Sequence, residues 1–74
     1  MNKERRAKLN VACDHIVNAT AVVAEVLTEE ELAMAAIPDN LTGTERYEAM
    51  EDAASEMTDM IMELNDIERK IREI

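Results

Sequence analysis

The helix-forming character of this sequence is interrupted once, at residues 37–44, which read IPDNLTGT. Elsewhere the chain is rich in Ala, Glu, Met, Leu and Ile, and it contains one Gly and one Pro. Pro38 has no amide hydrogen and its ring clashes with the preceding turn, so a helix that arrives from the N-terminal side should end near Ala36. The composition and this single break predict two helices joined by a turn.

Two residue pairs in the break indicate how the second helix begins. Thr42 and Glu45 fit a capping box, in which the hydroxyl and the carboxylate bond free backbone amides. Thr44 is an alternative N-cap for the same helix. Gly43 is the one residue that takes a positive φ without strain. We therefore expect the turn to span 37–44 and the second helix to begin at about 45.

Apolar residues upstream of the turn recur in three columns at heptad spacing. The columns are Leu9, Ile16, Val23, Glu30 and Ile37; Ala12, Ala19, Val26 and Ala33; and Cys13, Thr20, Leu27 and Met34. Three columns are typical of a helix that packs against more than one neighbour. Thr28 begins a sequence that also suits an N-cap, so a break there stays open. The columns keep their phase across that point, which favours one helix over about 3–36.

The segment after the turn repeats in the same way. Its columns are Met50, Met57, Leu64 and Ile71; Ala53, Met60, Ile67 and Ile74; and Tyr47, Ala54 and Ile61. Met62 lies outside these columns and is a candidate contact residue. The pattern predicts a helix over about 45–74, and hence an all-α, coiled-coil-like antiparallel hairpin forming a single domain, 1–74.

A chain of 74 residues has a small core and usually needs reinforcement. Its lone cysteine, Cys13, forms no internal disulfide, and no zinc-ligand spacing is present. Pairing with a second copy is the remaining route, so we expect a homodimer that forms a four-helix bundle. Trimers, tetramers and both docking directions stay open. The predicted core and oligomer interface comprises Leu9, Ile16, Val23, Leu27, Met50, Met57, Ile61, Leu64 and Ile71.

Three segments carry a resemblance to known proteins: Met1–Arg6, Pro38–Leu41 and Thr44–Glu48. A basic start, a Pro-acidic-Asn-Leu turn and a Thr-Glu-Arg helix start resemble a recurrent type of small helical-hairpin protein encoded by bacteriophages and prophages. That type has no settled biochemical activity. The resemblance implies a phage or mobile-element origin and a role against host machinery.

The charge balance limits the function classes. A net charge of −9 disfavours generic binding to nucleic acid and to anionic membranes. No unbroken apolar run approaches the roughly 20 residues of a membrane span, and no secretory segment follows the basic N-terminus. We expect a cytoplasmic protein, in the bacterial host if it is phage-encoded. A single His and no Gly-rich loop predict no catalytic site, metal or cofactor.

Charged residues are segregated along the predicted hairpin. A basic open end is expected from Arg5, Arg6, Arg69 and Lys70, together with Lys3, Lys8 and Arg72. An acidic strip follows the second helix through Glu45, Glu48, Asp52, Glu56, Asp59, Glu63 and Asp66. Three functions follow: a self-associating protein-interaction module; an acidic inhibitor of a host enzyme or defence complex, acting as a DNA mimic through Glu48, Asp52, Glu56 and Asp59; and nucleic-acid binding by the basic end.

Overall fold

The computed structural model describes residues 1–74 as two helices folded back on each other. Helix α1 spans Lys3–Ala35, helix α2 spans Glu45–Arg72, and one turn of 3₁₀ helix, Asp39–Leu41, lies between them. The hairpin measures 59 × 14 × 12 Å and contains no strand. Both helices begin where the sequence predicts, and they end one and two residues earlier.

Helix α1 is continuous from its cap to its end. The Asn2 side chain caps it by accepting a hydrogen bond of 2.9 Å from the Arg5 amide. No break occurs at Thr28, whose hydroxyl donates to the carbonyl oxygen of Ala24 at 3.0 Å. A threonine bonded to the preceding turn in this way sits inside a helix and does not begin one. The alternative of a broken first helix is therefore wrong.

The turn differs from the predicted capping box. Thr44 is the N-cap of α2: its hydroxyl oxygen accepts from the Tyr47 amide at 3.3 Å. The Thr42 hydroxyl instead donates to the carbonyl oxygen of Asp39 at 2.8 Å. Thr42 has αR backbone angles that close the 3₁₀ turn, so its side chain faces back along the chain. The Thr42 capping box is wrong and the Thr44 alternative is correct. Gly43 does not take a positive φ.

The two helices meet along a seam built from two of the three apolar columns of each helix. Cys13 is the only buried residue, and the other seam residues are half-buried. All nine residues predicted for the core and oligomer interface are half-buried. They therefore pack within the hairpin while each keeps part of its surface exposed.

Helix α1 carries more apolar side chains than its packing against α2 covers. Averaged over an 18-residue window, its mean hydropathy reaches 1.3, so by length and composition α1 is apolar enough to cross a membrane. The count of unbroken apolar runs did not predict this, because polar residues such as Asn10, Asp14 and Asn18 interrupt them. Core helices of soluble proteins meet the same measure. Only 6% of that window is buried in the hairpin, so α1 carries apolar side chains that α2 leaves uncovered.

Candidate interaction surfaces

One broad side of the hairpin, which we call the apolar face, carries the one apolar column of each helix that does not take part in the seam. Beyond Ala12 and Ala53, which are half-buried at opposite ends, these columns are exposed. In an antiparallel pair, columns that lie on the same side of the seam in both helices point to the same broad side of the molecule. The residues of the apolar face are Ala12, Ala19, Val26 and Ala33 from α1, and Ala53, Met60, Ile67 and Ile74 from α2.

The opposite broad side, which we call the polar face, has a different composition. Its residues are Lys3, Asn10, Val17, Ala24 and Glu31 from α1, and Glu51, Thr58, Asn65 and Arg72 from α2. Most of these side chains are charged or form hydrogen bonds, so water satisfies them. The two broad sides therefore differ in their need for a partner. Only the apolar face presents two columns of uncharged, mostly aliphatic side chains, although each of these columns begins with an exposed arginine, Arg5 in α1 and Arg46 in α2.

A groove of about 390 Å³ continues the apolar face at the loop end. Side chains from the end of α1 and the start of α2 line it together, on the broad side to which both apolar-face columns point. Its lining residues are Ala33, Ala36, Ile37, Pro38, Leu41, Thr44 and Arg46. The groove was not predicted, because it depends on how the 3₁₀ turn places Leu41 beside the end of α1.

The basic residues at the end of α2 are already paired within their own helix. Arg69 bonds Asp66 and, at 2.8 Å, Glu73, while Lys70 also contacts Asp66, at 3.1 Å. The hydrogen bond from Arg69, followed by that from Lys70, lowers the pKa of the Asp66 carboxyl below its ordinary value. The hydrogen bond to Asp66, followed by that to Glu73, raises the pKa of the Arg69 guanidinium. Two of the four residues predicted for the basic end, Arg69 and Lys70, are thus neutralised locally.

The third basic residue of this turn follows the same pattern. Arg72 donates to Glu68 at 3.0 Å, and this hydrogen bond raises the pKa of the Arg72 guanidinium. Glu68 and Glu73 thus pair with cations at the end of α2, and Glu4 forms no ion pair. All four ion pairs join residues of α2 to each other or to its C-cap, Glu73, so none of them links the two helices.

The basic residues at the start of α1 remain without an ion pair. These residues are Lys3, Arg5, Arg6 and Lys8. They lie at a helix N-terminus, where partial positive charge makes cations unfavourable. Arg6 and Arg72 line a shallow pocket of about 170 Å³ at the open end, so the two helices do bring basic residues together there. The unpaired positive charge of the open end therefore comes from α1.

The acidic strip runs along the outer edge of α2, opposite α1. Of its seven carboxylates only Asp66 forms an ion pair, and the other six are exposed. Met62 lies within the strip and is 65% exposed, as expected for a residue outside the apolar columns. The four residues proposed for DNA mimicry, Glu48, Asp52, Glu56 and Asp59, are among the exposed six.

The chain matches no known family. Compared with protein-family models, with curated proteins and with solved structures, it gives no match. The resemblance to small phage-encoded hairpins therefore stays a prediction.

Cys13 and His15 do not form a reactive pair. The Cys13 side chain is buried in the seam, whereas His15 is exposed. No group of three or more His, Cys, Asp or Glu side chains is arranged to hold a metal ion. The candidate functional features described above are surfaces: the apolar face, the unpaired basic residues at the start of α1 and the acidic strip.

Proposed function

We propose that this chain is a small non-enzymatic protein-interaction module that self-associates through its apolar face into a four-helix bundle. The observation that carries the proposal is the very small number of buried residues. Cys13 is the only buried residue, while the large apolar residues Val26, Met60 and Ile67 are between 45% and 47% exposed on one face. A contiguous exposed apolar surface of this kind marks an interaction site.

A second copy is the first partner to consider, because it supplies an identical apolar face. Pairing two such faces would turn the exposed columns into the core of a bundle, where apolar area contributes about 25 cal/mol per Å² removed from water. The polar face and the acidic strip would stay in water. Their charge, part of a net −9, would keep the assembly from growing beyond a closed bundle.

Sedimentation velocity and thermal melting across a range of protein concentrations test this function. We expect a dimer whose melting midpoint rises with concentration, because assembly stabilises only the folded chain. A matched pair of variants tests the face. Val26 on the apolar face and Val17 on the polar face are 45% and 44% exposed. Val26→Asp should give a helical monomer or a strongly weakened dimer, and Val17→Asp should leave the dimer intact.

Two results would contradict the proposal. One is a monomer at all concentrations with a concentration-independent melting midpoint. The other is equal weakening by Val26→Asp and Val17→Asp, which would show that the apolar face has no special part in assembly.

A second candidate function rests on the acidic strip. We propose as the alternative that the exposed carboxylates occupy a basic groove of a host enzyme or defence complex, in the cytoplasm of a bacterial host. Neighbouring carboxylates on such a helix are about 5–6 Å apart, close to the spacing of phosphates on a nucleic-acid strand. The six unpaired carboxylates and the exposed Met62 support this candidate. The basic end supports nucleic-acid binding less well, because Arg69, Lys70 and Arg72 already bond carboxylates.

Affinity capture from a bacterial lysate tests the inhibitor candidate. A captured DNA-binding protein should be released by high salt, which screens the charges of the strip, and by duplex DNA, which competes with the strip for the basic groove. A variant with Glu48, Asp52, Glu56 and Asp59 changed to Lys should remain helical and capture nothing. Capture that survives this fourfold charge reversal would exclude DNA mimicry.

A further inference from the structure

We infer that the second copy docks on the apolar face in the antiparallel direction, with α1 of one hairpin lying on α1 of the other. The inference rests on the proposed self-association and adds the direction of docking and the residues that set it. Two faces can meet with the open ends together or with each open end over a loop end. Shape and charge favour the second arrangement.

The broad side of the hairpin that carries the apolar face is large enough for a dimer interface. It measures 59 by 14 Å, a projected area of roughly 800 Å², which is about what each partner contributes to a stable interface of standard size. A second hairpin laid lengthwise on this face would therefore use all of it, and a shifted or crossed arrangement would leave part of it exposed.

The column of α1 on the apolar face is arranged symmetrically about the middle of the helix. Ala19 is the central residue of Lys3–Ala35, and Ala12 and Val26 lie seven residues on either side of it. Antiparallel docking therefore brings Ala12 of one copy to Val26 of the other, twice. A small residue opposite a larger one lets two helices approach closely and fills the gap.

Lys8 and Glu29 flank this column on its outer side and provide the directional signal. They belong to one heptad column with His15 and Val22, and all four are exposed. Lys8 lies eleven residues before Ala19 and Glu29 lies ten residues after it. Antiparallel docking therefore brings each Lys8 to the other copy's Glu29, at both ends of the interface. Neither residue has an ion-pair partner within the hairpin.

Parallel docking lacks this pairing. It would lay α1 on α2 of the second copy, with the two open ends together. Lys8 would then lie over the last turn of α2, where Lys70 and Arg69 already contact Asp66, so Lys8 would gain no free carboxylate there. Only the antiparallel arrangement brings Lys8 to an unpaired carboxylate, that of Glu29.

One basic residue departs from this segregation. Arg46 lies at the loop end and lines the apolar groove. In the antiparallel arrangement the groove lies beneath the open end of the second copy, so it would form part of the interface.

Charge reversal at Lys8 and Glu29 tests the direction. The dimer dissociation constant is measured by sedimentation equilibrium at low salt. Lys8→Glu and Glu29→Lys should each raise this constant about tenfold, since each change acts at two symmetry-related contacts. The double variant, Lys8→Glu with Glu29→Lys, should restore it to near the starting value. Lys3→Glu and Glu31→Lys are matched controls, because both residues lie in one column of the polar face, and neither should change the constant.

The outcomes separate this inference from the proposed self-association. If the unaltered chain is monomeric, the self-association itself fails. If it dimerises and Lys8→Glu tightens the dimer, docking is parallel and the inference is overturned. If it dimerises and neither single reversal changes the dissociation constant more than its control, the contact between Lys8 and Glu29 does not exist. Recovery in the double variant is the result that supports antiparallel docking.

Discussion

The Sγ atom of Cys13 lies 3.9 Å from the backbone carbonyl oxygen of Glu68, across the seam between α1 and α2. This contact joins residues 55 positions apart near the open end of the hairpin, the end that no loop connects. A thiol is small and a weak hydrogen-bond donor, so the contact is chiefly one of packing. It marks where the two backbones come close enough to exclude water completely. The contact also shows the register of the helices at this level, with Cys13 of α1 beside Glu68 of α2.

Changing the volume of Cys13 should destabilise the hairpin in either direction. Cys13→Ala should cost about 1 kcal/mol by leaving a small void. Cys13→Leu should cost about 1–3 kcal/mol, because a larger side chain would force the backbones apart. Urea unfolding followed by circular dichroism at fixed protein concentration measures both costs. A Cys13→Leu variant as stable as the parent would show that the seam is loose at this point.

The Cys13 thiol should also report opening of the hairpin. It is fully buried, so a thiol reagent should react only when the helices separate. We expect slow labelling in buffer that rises to the rate of a free cysteine in urea. A single cysteine at an exposed position, His15→Cys in a Cys13→Ser background, is the control. Equal labelling of the two thiols in buffer would contradict the observed packing.

Glu30 occupies a position that suits an apolar residue. It stands in the seam column with Val23 and Ile37, is half-buried and forms no ion pair. Glu30→Leu should raise the free energy of unfolding by roughly 1 kcal/mol, since it buries apolar area in place of a carboxylate. Glu31→Leu, on the exposed polar face, should change it little. A polar residue at such a position is also a known means of specifying helix register, so the Glu30→Leu variant should be checked for a changed oligomeric state.

The two threonines of the turn should differ in their effect on stability. Thr44→Ala removes the acceptor for the Tyr47 amide and should cost about 1 kcal/mol. Thr42→Ala removes only a hydroxyl donor to Asp39 and should cost less. Thermal melting of the two variants compares them directly. A larger cost at Thr42 would favour the capping box that the sequence suggests and the structure lacks.

Gly43→Ala should stabilise the protein by about 0.4–1 kcal/mol. Gly43 does not have a positive φ, and an added Cβ atom would meet nothing within 4 Å. Alanine would therefore fit the folded turn while restricting the unfolded chain. Chemical denaturation measures the gain, and a loss of stability would mean that the turn visits conformations that only glycine takes.

The ion pairs of Asp66 should give a pH-dependent contribution to stability. Arg69 and Lys70 lower the pKa of Asp66 below the ordinary value of 3.8. Its stabilising contribution is therefore full above that value and disappears as the pH falls through the lowered pKa. Asp66→Asn should lower the melting midpoint at pH 7 by a small amount. The difference between this variant and the parent should shrink as the pH falls below 3.8 and vanish once the Asp66 carboxyl is protonated.

Local sequence signals were sufficient for the two helices and the turn between them. Pro38 ends α1 through contacts with its immediate neighbours, which the sequence alone specifies, whereas the structure was needed to select Thr44 over Thr42 as the N-cap of α2. The heptad columns likewise identify which residues share a side of each helix. These features needed no knowledge of how α1 and α2 pack, because every interaction involved spans a few residues.

The assignment of columns to seam and surface was decided only by the tertiary structure. Each helix carries three apolar columns. The neighbouring helix covers only two of them, because the remaining column points to a broad side of the hairpin and not towards that neighbour. The antiparallel pairing of α1 and α2 buries Cys13 and half-buries Leu27, leaves Val26 and Ile67 exposed, and places those two on one face. The sequence alone determined that this hairpin has more apolar surface than it covers. The tertiary structure determined where that surface lies, because only the packing of α1 on α2 separates the seam from the face that remains.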